Sequence, residues 1–141
     1  MSVINSRPLL ISDCDEVLLH MIVPFRDWLD GVHHIHFDLV HGDWGEALRH
    51  KHDGTIVERG QVWDLLNGFF DTEMHRQMPI PGAIEALKAI GEHADIVVLT
   101  NLMDDRQQAR SEQLNQELAK EIERESVTWG RVIRDRKISV Q

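Results

Sequence analysis

Two short apolar runs punctuate the chain, and a helix-spaced segment leads into the second. Pro8-Leu9-Leu10-Ile11-Ser12 runs without a charge up to an acidic residue. Such a run reads as a buried parallel strand whose carboxyl end meets a ligand. Residues 95–100, Asp-Ile-Val-Val-Leu-Thr, repeat the pattern with more β-branched side chains. Ahead of them, Pro81 stands near a helix start, Ile84, Leu87 and Ile90 share one helical face, and Gly91 marks the stop. A helix feeding a buried strand is half of a parallel crossover, so 81–100 is expected beside 8–12 in one sheet.

The intervening stretch has a different character. Residues 19–78 hold most of the histidines, all four Phe and three of the four Trp. His33 to Val40 alternates as an extended strand, while Trp44 to His50 and Gln61 to Met74 carry helical spacing of bulky apolar residues. This predicts an inserted, mainly helical subdomain at 19–78, with 1–18 and 79–141 forming one α/β core. Downstream, 104–126 reads as one highly charged helix with a narrow stripe of Ala109, Leu114, Leu118 and Ile122. The tail 127–141 supplies one edge strand at most.

Charge and cysteine content narrow the function classes. The chain of 141 residues has a formal charge of −9, the reverse of the basic footprint of a nucleic-acid binder. Nowhere do eighteen apolar residues run together, as a membrane-spanning helix requires. The only cysteine is Cys14, which excludes an intrachain disulfide and makes a reducing, cytoplasmic compartment the expectation.

The first apolar run leads into Asp13-Cys14-Asp15-Glu16-Val17-Leu18. Open α/β sheets bind ligands outside the carboxyl ends of their strands, which is where this puts both carboxylates. Two-residue spacing on an extended chain points both side chains to the same side, so one can attack while the other manages protons. The second run ends in Thr100-Asn101, a hydroxyl and an amide at the same end of a neighbouring strand. Thr100 could donate there to an oxyanion held near Asp13.

Together these residues resemble the haloacid dehalogenase-like (HAD) hydrolase superfamily. Its first motif, an apolar strand followed by Asp-x-Asp-x-[Thr/Val]-[Leu/Val], is matched by Asp13, Asp15, Val17 and Leu18, and its second by Thr100 and Asn101. The Pro-Gly-led helix before the second motif is also usual in the family, and 19–78 corresponds to its inserted type-1 cap. The resemblance covers roughly residues 8–110. It implies a Rossmann-like core in which Asp13 forms an aspartyl-phosphate and Asp15 is the general acid/base. It also implies Mg²⁺ on the Asp13 carboxylate and the Asp15 backbone carbonyl, with Thr100 and the Asn101 backbone N–H holding phosphoryl oxygens. Asp rather than another residue at position 15 favours phosphate-ester hydrolysis over carbon–halogen cleavage. The implied substrate is a small phosphorylated metabolite, with the cap choosing the leaving group.

The chain departs from the family after the second motif. A Lys or Arg should follow to neutralise the phosphoryl charge, then a strand ending in acids that complete the Mg²⁺ shell. Lys120 falls inside the charged helix, Lys137 lies near the terminus, and the doublet Asp104-Asp105 more naturally opens the next helix, where the macrodipole favours acids. The implied sheet is therefore incomplete at the C-terminus, as in a shortened or altered member whose reading frame shifts after about Gln116. The alternative function is a degenerate, non-catalytic HAD domain acting by binding or association, with the leucine stripe of 104–126 as a homodimer seam. A third class is a His-rich metal module, since His34 and His36, and likewise His50 and His52, have two-residue spacing. Scattered surface histidines are the plainer reading. Trp28, Trp44 and Trp63 are expected in the small cap's core, and Cys14 is expected to pack inertly, turned away from the two acids.

Overall fold

Two units make up the chain, Met1–Leu19 with Met78–Gln141, and His20–Gln77. The computed structural model describes residues 7–100, 102, 104–125 and 138–140. The class is mixed α/β. Among the described residues no helix is long and apolar enough to cross a membrane.

The first unit is built on parallel strands. Strand β1 (Leu9–Asp13) pairs with β4 (Asp95–Leu99), and β4 pairs with β5 (Ile138–Val140), giving the order β1-β4-β5. In the β1–β4 register Leu9 lies opposite Asp95, Ile11 opposite Val97 and Asp13 opposite Leu99. Helix α4 (Ala83–Gly91) precedes β4, and α5 (Gln107–Glu125) follows it. Gly82 caps α4 at φ 84°, a left-handed conformation that glycine adopts without steric cost. Gly91, the last helical residue, is buried; a Cβ there would sit 3.7 Å from Ile96 Cδ1. The inward side of α4 is thus Ile84, Leu87 and Gly91, while Ile90, expected on that side, is exposed.

Both crossovers step in the same direction along the sheet, and right-handed connections of that kind return their helices to the same face. The core accordingly gathers Ile96 and Val98 of β4 with Ile84 and Leu87 of α4, Leu114 and Leu118 of α5, and Cys14, Leu18 and Leu19 of the loop after β1. The opposite face is bare among the described residues. Leu9 and Ile11 are 59% and 58% exposed and Leu99 is exposed too, so β1 is not the fully buried strand its apolar run suggests. Helix α5 also corrects its expected stripe: Leu114 and Leu118 are buried, but Ala109 is exposed and Arg110 is fully buried. The side chain of Ile122 lies outside the described residues, as do residues 126–137 of the tail.

In the second unit, α1 (Ile22–Trp28) continues into a π-turn at Leu29–His33 and ends at His34, whose φ of 54° is left-handed. Strand β2 (Ile35–Phe37) pairs antiparallel with β3 (Leu48–His50), and between them lies the single turn α2 (Trp44–Ala47). The predicted helix over 44–50 therefore breaks at Leu48. Pairing Leu48 with Phe37 buries both, which a continued helix there would not achieve. Helix α3 (Arg59–Thr72) buries Val62, Leu65, Phe69 and Phe70. Phe25 is the centre of this core, with ring centroids of Phe69, Phe37, Trp44 and Trp28 between 5.3 and 6.2 Å away. Trp28 is buried and Trp44 partly so, but Trp63 is 60% exposed and no part of the core.

Candidate active site

Strand alternation puts Leu9, Ile11 and Asp13 on one side of β1 and Leu10 and Ser12 on the other. The parallel register then brings the carboxyl ends of β1 and β4 level, so Asp13 stands opposite Leu99, the residue just before Thr100. The Asp13 side chain is exposed, and its Oδ1 accepts from the Cys14 N–H at 2.7 Å. The Thr100 hydroxyl is buried and has no hydrogen-bond partner among the described residues. Asn101 lies outside the described residues.

After Asp13 the chain closes a single tight turn. The Cys14 carbonyl accepts from the N–H groups of Val17, Leu18 and Leu19 at 3.3, 2.8 and 3.1 Å, and the Glu16 N–H donates to the Leu19 carbonyl at 2.8 Å. Glu16 holds φ at 59°, a conformation that costs a non-glycine residue roughly 1 kcal/mol or more. That turn sets the direction in which Asp15 leaves the sheet.

Asp15 is half-buried and meets a cation that the sequence pattern did not single out. Arg110, one helical turn before Leu114 on α5, is fully buried; its Nη2 donates to Asp15 Oδ1 at 3.0 Å and its Nη1 to Cys14 Sγ at 3.4 Å. The periodicity of Leu114 and Leu118, extended back by four residues, reaches this position, and that was the available signal. Burial pushes the Cys14 thiol up to about 11, against the opposing pull of Arg110, so at neutral pH it is a protonated, inert group.

The remaining candidates stand apart from this cluster. Lys120 is exposed on α5 and pairs with Glu117 at 2.6 Å. Lys137 lies outside the described residues. Asp104-Asp105 opens the short 3₁₀ turn that leads into α5. His34 is not on a strand face with His36, because it occupies the left-handed position that ends the π-turn. The His50 and His52 rings are 5.4 Å apart, with His52 Nε2 3.2 Å from Asp53 Oδ2. Among the described residues no group of three or more His, Cys, Asp or Glu could hold a metal ion. No protein-family profile, curated protein or solved structure matches the chain.

Proposed function

We propose that the first unit is a HAD-like, Rossmann-like hydrolase core with residues 20–77 as its inserted type-1 cap, and that it hydrolyses a small phosphate monoester. The observation that carries the reading is the β1–β4 register, with Asp13 at one strand's carboxyl end and Thr100 just beyond its neighbour's. The exposed Asp13 carboxylate attacks phosphorus, the bond to the leaving oxygen breaks, and Asp15 supplies the proton that this oxygen takes up. Water then attacks the aspartyl-phosphate, giving its proton to Asp15 and releasing inorganic phosphate. The Thr100 hydroxyl, buried and without a described partner, suits donation to a phosphoryl oxygen, and the Asn101 backbone N–H completes that cradle in the resemblance.

The oxygen donors here fit Mg²⁺ of the kind that keeps several waters. Asp13 Oδ1 accepts from the Cys14 N–H, and the residues that would hold the ion are Asp13, through its other carboxylate oxygen, and Asp15, through its backbone carbonyl. When bound, Mg²⁺ offsets the negative charge on the phosphoryl oxygens. On this reading the enzyme works in the cytoplasm on a phosphorylated metabolite, without nucleic acid or membrane.

The test is hydrolysis of 4-nitrophenyl phosphate with and without Mg²⁺, on wild type and Asp13→Asn, both checked for folding by circular dichroism. Mg²⁺-dependent turnover that Asp13→Asn abolishes supports the phosphatase. A folded wild type with no turnover favours the second reading, a non-catalytic HAD-like domain that works by association. The bare sheet face of Leu9, Ile11 and Leu99 speaks for that reading.

A further inference from the structure

Arg110 is the only fully buried charged side chain among the described residues, and the reaction above gives it no task. We propose that Arg110 is the positioning residue for Asp15, fixing the acid/base carboxylate from a helix far along the chain; the inference rests on the phosphatase reading.

Three observations carry it. First, the guanidinium is fully buried, so it reaches no phosphoryl group directly and acts on the site only through what it touches. Second, what it touches is the segment just past the nucleophile. Its two terminal nitrogens take successive residues, Sγ of Cys14 at 3.4 Å and Oδ1 of Asp15 at 3.0 Å, and a planar, rigid fork held at two points sets orientation as well as distance. Third, the fork is mounted on a fixed support, because Leu114 and Leu118 of the same helix are packed into the core. Asp15 itself sits on a tight turn beside the left-handed Glu16.

The pairing has a chemical consequence. Arginine offers only donors, so Oδ1 is committed as an acceptor and the proton that Asp15 handles travels on Oδ2. In the first step the Asp13 oxygen–phosphorus bond forms, the phosphorus–leaving-oxygen bond breaks, and the Oδ2 proton passes to the leaving oxygen. In the second, water's oxygen bonds to phosphorus, its proton returns to Oδ2, and the Asp13–phosphorus bond breaks. A carboxylate turned away by an ångström loses much of this transfer, and the loss falls hardest on leaving groups that cannot depart without a proton.

That difference separates positioning from mere support. Turnover of 4-nitrophenyl phosphate, whose leaving group departs readily as an anion, is compared with that of an alkyl phosphate, for wild type, Arg110→Met and Arg110→Lys. Folding of each is followed by circular dichroism. The expected result is that Arg110→Met leaves KM little changed, lowers kcat for both, and lowers it about tenfold more for the alkyl ester; Arg110→Lys recovers part of that difference. A folded Arg110→Met that loses equally on both esters, or loses nothing, overturns the inference and leaves the phosphatase standing. If Arg110→Met does not fold, the same comparison on Arg110→Lys decides: a selective loss on the alkyl ester supports the inference and an equal loss overturns it. Wild type that hydrolyses neither ester overturns the phosphatase and the inference together.

Discussion

Arg110 and Asp15 are 95 residues apart in sequence and 3.0 Å apart in space, the guanidinium fully buried and the carboxylate side chain 19% exposed. A buried ion pair adds little net stability over a well-packed apolar pair, but removing one partner from a buried charge is expensive. Asp15→Asn should therefore cost about 3 kcal/mol of folding stability. Asp13→Asn should cost under about 0.5 kcal/mol, because Asp13 is exposed and an amide oxygen can still accept from the Cys14 N–H. Urea denaturation of the two variants reads the contrast, and equal losses would contradict the burial argument.

Thr100 should separate stability from binding. Its hydroxyl is buried without a described partner, so Thr100→Val, close to isosteric, should leave stability unchanged or raise it by up to about 1 kcal/mol. The same change should weaken inorganic phosphate as a product inhibitor about tenfold, since it deletes a donor to an anion. Thermal melts and inhibition constants on one preparation check both halves.

Cys14 gives a pH prediction. Its thiol is raised from an ordinary 9.0 to about 11, with burial the main cause. A folded-state pKa above the unfolded value means that the folded form holds the proton more tightly. The contribution is then fully present below pH 9 and is lost as the pH rises from 9 toward 11. Stability measured at pH 7, 9 and 10.5 should fall over the last interval in wild type, and fall less in Cys14→Ala. Parallel declines in the two proteins would assign the effect elsewhere.

The two faces of the sheet should respond differently to the same change. Ile96→Thr puts a hydroxyl into a side that α4 and α5 close off and should cost at least about 2 kcal/mol. Ile11→Thr, on the 58% exposed side, should cost under about 1 kcal/mol and reduce binding of a hydrophobic dye. Equal costs would mean that the Ile11 face is covered in solution.

Much of the first unit could be read from pattern, because it depends on local signals. The two strands end within a residue of their expected limits, and the Pro-Gly start and Gly91 end of α4 follow from backbone chemistry at those positions. The errors fall where tertiary packing overrides local preference. Ile90 and Gly91 exchange places because the inward face of α4 runs from Ile84 through Leu87 to Gly91, the i, i+3, i+7 row of a helix, and turns Ile90 toward solvent. Leu48 leaves its predicted helix to pair with Phe37. Arg110 was hidden by its own charge: in a helix full of Glu, Gln and Arg, a cation reads as a solvated face, and its partners Cys14 and Asp15 lie far back in the sequence. The carboxylates and the threonine were legible as strand-end residues; helical spacing marks the Arg110 position as inward-facing, but its contact with Asp15 joins residues 95 apart and no local pattern carries it.

The pairing of β1 with β4 also orders events during synthesis. The first strand emerges early, and the strand that completes its ladder begins only at Asp95, after the whole aromatic-centred second unit has been made. At usual elongation rates of about 5–20 residues per second, that interval is on the order of ten seconds. Throughout it, Leu9 and Ile11 sit on an unpaired nascent strand, the kind of segment that invites wrong pairings or a chaperone. The inserted unit is thus a timer as well as a substructure: a slower ribosome lengthens the exposure of β1, and a faster one shortens it.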